Sequence, residues 1–186
     1  MTKMISLGSE VRVSDPCYSD DVWCKTQLSN VLPGKYEVLV ENKDEGAWGV
    51  RTSHIVVTHD DYKNSNIVYE EYGSIGVDSG QAGIFCESSY RNDDISESIQ
   101  TPESDFEFNA TEPGDSWYNK MCRMTLSEDG WGAYDTGVVT SSGYGDGTYP
   151  LTVAKNNDGK IVSIAITFIG DDEEDEWDDE EEEYED

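Results

Sequence analysis

Thr148-Tyr-Pro-Leu-Thr-Val-Ala-Lys155, Asn156-Asn-Asp-Gly159 and Lys160-Ile-Val-Ser-Ile-Ala-Ile-Thr-Phe-Ile169 follow one another without a break. The outer two stretches read as strands and the middle four residues as the turn between them. Asn, Asp and Gly tolerate the left-handed backbone that a tight hairpin turn needs. The last strand is apolar at almost every position, so it has to be covered on both faces. It is expected in the interior of a sheet, because such a strand at an edge would invite other chains to pair with it.

Working backward, Ser141-Ser-Gly-Tyr-Gly-Asp-Gly147 is a glycine-rich turn, and Ala133-Tyr-Asp-Thr-Gly-Val-Val-Thr140 reads as one strand. Asp115-Ser-Trp-Tyr-Asn-Lys-Met-Cys-Arg-Met-Thr-Leu126 is the best helix. Asp115 or Ser116 can cap it, and Trp117, Met121, Met124 and Leu126 place apolar groups near one face. Residues 88–111 are rich in Ser, Asp, Glu and Asn and read as a surface excursion. Earlier still, Ser74-Ile-Gly-Val-Asp78 and Ala82-Gly-Ile-Phe-Cys86 flank the turn Ser79-Gly-Gln81. Ser53-His-Ile-Val-Val-Thr-His59, Lys35-Tyr-Glu-Val-Leu-Val-Glu41 and Glu10-Val-Arg-Val-Ser14 supply further strands, the last stopped by Asp15-Pro16. Residues 60–72 are polar and mixed, a loop or short helix.

The expected fold is mainly β, a β-sandwich or barrel-like sheet pair with one short amphipathic helix. Residues 1–170 form the single β-rich domain. Its core should hold Val38, Val56, Ile84, Phe85, Val139, Leu151, Ile164, Ile166 and Phe168.

The chain has 186 residues, with 12 Lys and Arg against 41 Asp and Glu, a net charge of −29. Residues 171–186 account for 14 of the acids, interrupted only by Trp177 and Tyr184. Without them the body keeps 27 acids and 12 bases, a net of −15. A segment this charged cannot bury enough apolar surface to order itself, so an acidic, disordered C-terminal tail is expected. Such a tail either solubilises the chain or meets a basic surface. Its aromatic residues favour the second use, because aromatic anchors are typical of binding hot spots. Asp171, Asp172, Glu173, Glu174, Asp175, Trp177, Asp178 and Tyr184 are the partner-binding candidates. The charge excludes a groove that holds nucleic acid by its phosphates. No apolar run is long enough to span a bilayer, and the first ten residues lack a signal-peptide core. A cytoplasmic protein is expected.

Cys17, Cys24, Cys86 and Cys122 lack zinc-knuckle spacing. They are expected as free thiols, with Cys86 a small buried hydrophobe. His54 and His59 stand five apart on one strand, so they project to opposite faces. Nothing reads as a Ser-His-Asp or Cys-His-Asn arrangement. Asp15, Asp78 and Asp146 each sit in a turn at a strand end. Each is expected to close its turn by a side-chain hydrogen bond. Should the rims coincide, the three carboxylates could hold Ca²⁺ or Mg²⁺. No other cofactor is indicated.

Val13-Ser-Asp-Pro-Cys-Tyr18, Leu32-Pro-Gly-Lys-Tyr36, Gly76-Val-Asp-Ser-Gly80 with Ile84-Phe85, Ser142-Gly-Tyr-Gly-Asp-Gly-Thr-Tyr149 and Asp158-Gly-Lys-Ile-Val162 occur in this order. Together they resemble the domain-of-unknown-function family 4241 of bacteria and tailed phages, over roughly residues 10–169. The resemblance implies a shared β-rich fold and carries no reaction with it. The tail lies outside it.

The functional expectation is an acidic, phage-encoded binding protein that engages a basic surface of a host protein. It would act as a nucleic-acid mimic or an anti-defence inhibitor in the host cytoplasm. The partner would be a nucleic-acid-binding protein, with no direct contact to nucleic acid or membrane. The alternatives are a metal-dependent enzyme built on Asp15, Asp78 and Asp146, and a passive acidic structural protein.

Overall fold

A computed structural model of the chain describes residues 3–19, 22 and 24–170. The expected acidic tail, residues 171–186, lies outside the described residues. In chain order the elements are β1 (Lys3–Leu7), β2 (Val11–Ser14), β3 (Thr26–Leu28), β4 (Gly34–Asp44), β5 (Val50–His59), β6 (Tyr69–Val77), β7 (Gln81–Cys86), α1 (Asp115–Thr125), β8 (Trp131–Tyr134), β9 (Gly137–Ser141), β10 (Gly147–Lys155) and β11 (Ile161–Thr167). Short 3-10 turns stand at Gly46–Trp48, Asp60–Tyr62, Glu87–Ser89 and Asp93–Ser98.

The strands form two sheets, ordered β1-β4-β5-β11-β10-β6 and β3-β2-β7-β9-β8. Every pairing between these strands is antiparallel. The apolar strand β11 lies inside the first sheet, between β5 and β10, as its composition requires. The β10–β11 hairpin closes as its turn chemistry predicts. Asn156 Oδ1 accepts from the backbone N–H groups of Asp158 and Lys160, at 3.1 and 2.9 Å.

The main core lies between the sheets. Ile55 and Val57 of β5, Leu151 and Val153 of β10, and Ile164 and Ile166 of β11 meet Val11 and Val13 of β2 and Ile84 of β7. Each such side chain, fully buried, contributes about 1.5–3 kcal/mol. A second core lies on the outer face of the second sheet. There Phe85 and Val139, alternating with the inward Ile84 and Val138, pack against Trp117, Met121 and Met124 of α1. Trp117 stacks its ring edge-on against Phe85 and donates from Nε1 to the Tyr134 hydroxyl at 3.1 Å. Gly132 lets the helix come this close: a Cβ there would fall 2.5 Å from Met124 Cγ.

Eight of the nine expected core residues are buried. Val56 is the exception, because the pleat of β5 sends Ile55 and Val57 inward and turns Val56 to the other face. The stretch 133–140 is not one strand. Asp135 and Thr136 turn the chain between β8 and β9, and the two halves pair with each other. β1 and β3 escape sequence reading, since both are short and lack a clean alternation, and so do residues 69–72, expected as loop or short helix, which open the edge strand β6 with exposed side chains. Leu126 does not join the helix stripe. It lies past the last helical turn and is 62% exposed.

The helix cap is also reassigned. Gly114 takes the cap position with a left-handed φ of 91°, and no side chain of its own turn caps the helix. Asp93 does so from a distant segment, accepting from the backbone N–H groups of Gly114 and Trp117 at 2.8 and 2.9 Å. The excursion over residues 88–111 is therefore not merely solvated. It caps the helix and sends Ile99 into the second core.

Candidate functional site

Asp15 follows β2, where Pro16 ends the strand. Its carboxylate is fully buried and takes four hydrogen bonds. Oδ1 accepts from the Cys17 N–H at 2.8 Å and the Ser79 hydroxyl at 2.6 Å. Oδ2 accepts from the N–H groups of Asp78 and Ser79 at 2.9 and 2.6 Å. Asp15 closes its own turn, as expected, and also ties that turn to the β6–β7 turn 63 residues away.

The opposite side of the loop is held by its carbonyl oxygens. Tyr90 donates its hydroxyl to the Tyr18 carbonyl at 2.7 Å. Arg91 donates from Nη1 to the Pro16 and Cys17 carbonyls at 3.1 and 3.3 Å, and from Nη2 to Asp115 at 3.2 Å. Arg91 sits at a φ of 50°, an unusual conformation for a residue with a side chain, held by these contacts. Two extra N–H donors reach Asp115 from Thr111 and Glu112, at 2.9 Å each. These backbone donors hold the Asp115 carboxyl below its ordinary range, with the Arg91 charge adding to the effect.

The glycine turn between β9 and β10 abuts the same place. The Ser142 N–H donates to the Gly80 carbonyl at 3.0 Å, and the Ser142 hydroxyl to the Gly145 carbonyl at 2.9 Å. Tyr149 donates its hydroxyl to the Gly145 carbonyl at 2.7 Å. Gly143 has a φ of 48°, and a Cβ there would lie 2.9 Å from Phe168 Cβ. The three most distinctive sequence blocks thus meet on one rim. Asp78 meets the Asp15 carboxylate through its backbone N–H, and Asp78, like Asp146 on the neighbouring turn, is an exposed residue, so the carboxylate that closes these turns is that of Asp15 and the three do not converge. Among the described residues no three His, Cys, Asp or Glu side chains are placed to hold a metal ion.

Cys17 is half-buried beside this network. Burial first, and then the Asp15 charge, push its thiol up to about 12. It stays protonated at neutral pH and is a poor nucleophile. Burial likewise raises Cys122 and Tyr118 of the helix. Gln81 joins them: its amide nitrogen lies 3.5 Å from the Tyr118 hydroxyl and 3.6 Å from the Cys122 sulfur. Its buried carbonyl oxygen meets no donor among the described residues. Sequence reading passed over Gln81, whose only signal was a long polar side chain opening an otherwise apolar strand. All four cysteines are free thiols, and Cys86 is half-buried rather than enclosed.

A cleft of about 320 Å³ opens between the glycine turn and the β4–β5 hairpin. Val50, Arg51, Glu128, Asp129, Ser142 and Tyr144 are among its walls. The Arg51 side chain donates to the Trp48 carbonyl at 2.9 Å, and the Tyr144 hydroxyl donates to Glu45. Lys43 pairs with Glu45 at 3.4 Å and donates to the Gly170 carbonyl at 3.3 Å. The last described residue is therefore anchored beside this hairpin. The tail residues predicted to bind a partner, Asp171 to Asp175, Trp177, Asp178 and Tyr184, follow it outside the described residues.

No helix among the described residues is long and apolar enough to cross a membrane. No curated protein and no solved structure matches the chain. Residues 10–166, which hold every strand but β1 and the last residue of β11, the helix and the whole rim of converging turns except its Phe168 wall, match the family described as "Protein of unknown function (DUF4241)", and the chain belongs to that family.

Proposed function

We propose that this chain is an acidic binding protein that engages a cationic surface of a partner protein, of the kind that otherwise holds nucleic-acid phosphates. The observation that carries this reading is an excess of carboxylate that the body does not neutralise. Among the described residues, acids of the body itself engage Arg12, Lys35, Lys43, Lys63, Arg91, Arg123 and Lys155. The body still carries 15 more acids than bases, and residues 171–186 add 14 acids and no base. Such a field steers a cationic partner toward the chain and selects against anionic ones. Dense carboxylates present the repeating negative charge that a phosphate-binding groove is built to hold.

In a phage-encoded setting the partner is a host nucleic-acid-binding protein, and occupying its groove inhibits it. The cytoplasm suits this role, since four free thiols persist in a reducing compartment. The test is co-purification from lysate at low and high salt, with the full chain and a chain ending at residue 170. The full chain should hold a nucleic-acid-binding protein at low salt and release it to competing duplex DNA or to high salt. The shortened chain should bind more weakly and with a flatter salt dependence. Equal binding by both chains across the salt range would move the function to the rim.

A further inference from the structure

We infer that the tip of the β4–β5 hairpin and the glycine turn facing it form an aromatic seat for guanidinium groups of the cationic partner. This inference rests on the reading above and locates a contact that the tail alone does not supply. Trp48, Val50 and Tyr144 are 69, 66 and 53% exposed. Single exposed apolar residues are ordinary on a protein surface. Here two rings stand together, their centroids 6.5 Å apart and edge to face, with Val50 and Tyr144 both on the cleft wall.

The seat is held in shape rather than left to fluctuate. The 3-10 turn at Gly46–Trp48 closes with the Trp48 N–H on the Glu45 carbonyl at 3.2 Å and the Glu45 N–H on the Gly49 carbonyl at 3.0 Å. Arg51 holds the Trp48 carbonyl, and Tyr144 is tied to Glu45. Ordering two aromatic groups in water before any partner arrives lowers the entropy lost on binding.

Its chemistry selects a cation. Aromatic faces attract Arg and Lys head groups through the ring quadrupole. The flat guanidinium also stacks, which favours Arg over Lys. The protein's own cations already use this contact: Lys3 lies 4.3 Å from the centre of the Trp131 ring, and Arg12 lies 4.3 Å from that of Tyr90. Exposed Glu128 and Asp129 stand on the cleft wall, and Asp44 and Glu45 lie at the hairpin. Arg51 is the basic residue on the same wall, and the acids around it outnumber it. A second copy of this chain would bring the same negative charge and is the wrong occupant. The tail follows Gly170, whose carbonyl is held by Lys43 of the hairpin strand. Seat and tail can therefore act on one partner surface, as two linked contacts whose affinities reinforce each other.

The experiment titrates a fluorescein-labelled nona-arginine peptide with the full chain and reads anisotropy over a series of salt concentrations. Replacing Trp48→Ala and Tyr144→Ala together should weaken binding about tenfold without changing the salt slope, as loss of a ring–cation contact of this kind implies. A nona-lysine peptide should bind more weakly than nona-arginine to the parent chain and lose less on the double substitution. A full-length chain with its tail carboxylates changed to amides should flatten the salt slope yet keep the preference for arginine. Trp48→Phe, which preserves a ring, should restore most of the affinity and guards against a folding defect. Binding by the double variant within twofold of the parent would overturn the seat while leaving the acidic-binder reading intact. Failure of the full chain to bind the peptide at any salt would overturn both. Self-association of the full chain that the double substitution abolishes would also overturn the seat, by assigning the patch to a second copy.

Discussion

Four protein donors converge on the buried Asp15 carboxylate, while a few residues away along the same rim Trp48 and Tyr144 turn their rings to water. The Asp15 node is closed: its charge is matched by N–H and O–H groups of the chain, and its loop carbonyls are taken by Tyr90 and Arg91. The hairpin tip is open: its backbone is tied down, but its large side chains have no core to enter. Buried polar groups are costly unless matched, so a node like Asp15 serves the fold. Paired aromatic rings left outside the core cost the fold little to change, and they carry the recognition role proposed for them above. The contrast separates residues whose loss should unfold the protein from residues whose loss should only weaken a contact.

The sharpest break of this contrast is Asp15→Ala. It strands the N–H groups of Cys17, Asp78 and Ser79 without their acceptor, and should cost about 3–5 kcal/mol, since each buried donor left unsatisfied costs about 1–3 kcal/mol. The urea midpoint of the purified variant measures it. A loss below about 1 kcal/mol would show that water replaces the carboxylate and that the node is not closed.

Asp93→Ala should come next. It removes the acceptor shared by Gly114 and Trp117 at the start of α1, and should cost about 1–2 kcal/mol, the upper part of the range for helix caps. Loss of the Trp117 near-ultraviolet dichroism, read beside the urea midpoint, would show the helix lifting from Phe85.

Titration sharpens the same contrast from both ends of the pH scale. Cys17 is pushed from 9.0 up to about 12, so the stability gained by keeping it a thiol is complete below pH 9 and is lost as pH rises toward 12. Cys17→Ser should flatten that alkaline limb. Asp115 is held low by backbone donors, so its contribution is complete above the ordinary carboxylate range and is lost as pH falls through its lowered value. Asp115→Asn should flatten the acid limb. Denaturation midpoints measured from acid to alkaline pH, for parent and variants, check both.

Trp48→Ala should have the smallest effect on stability, within about 0.5 kcal/mol, as for surface substitutions away from caps and networks. A change in melting temperature as large as that of Asp93→Ala would mean that the tip is part of the fold after all.

The β10–β11 hairpin was legible because every local signal agreed: alternation on one strand, apolar character on the next, and turn residues between them. Eight core positions were readable for the same reason. Val56 was not, because a run of three apolar residues does not say which of them the pleat turns inward. The 133–140 stretch reads as one strand because Tyr134 and Val138 are both good strand residues, and only the pairing of β8 with β9 reveals the turn at Asp135 and Thr136. Asp15 and Asp78 could be singled out as turn residues. That one carboxylate bridges both turns depends on β2 pairing with β7, a contact across some 70 residues.

By itself the sequence determined the mainly β character, the interior place of β11, the concentration of charge in residues 171–186 and the family blocks. These follow from side-chain chemistry that acts over a few residues, or from composition, and neither needs the chain to be folded in thought. Only the tertiary structure decided that three distant turns share a rim, that Asp93 caps a helix beginning more than twenty residues later, and that Trp48 and Tyr144 stand together beside a cleft. Those features arise from strand pairing and sheet packing. Their partners are far apart in the chain, so no local pattern can carry them.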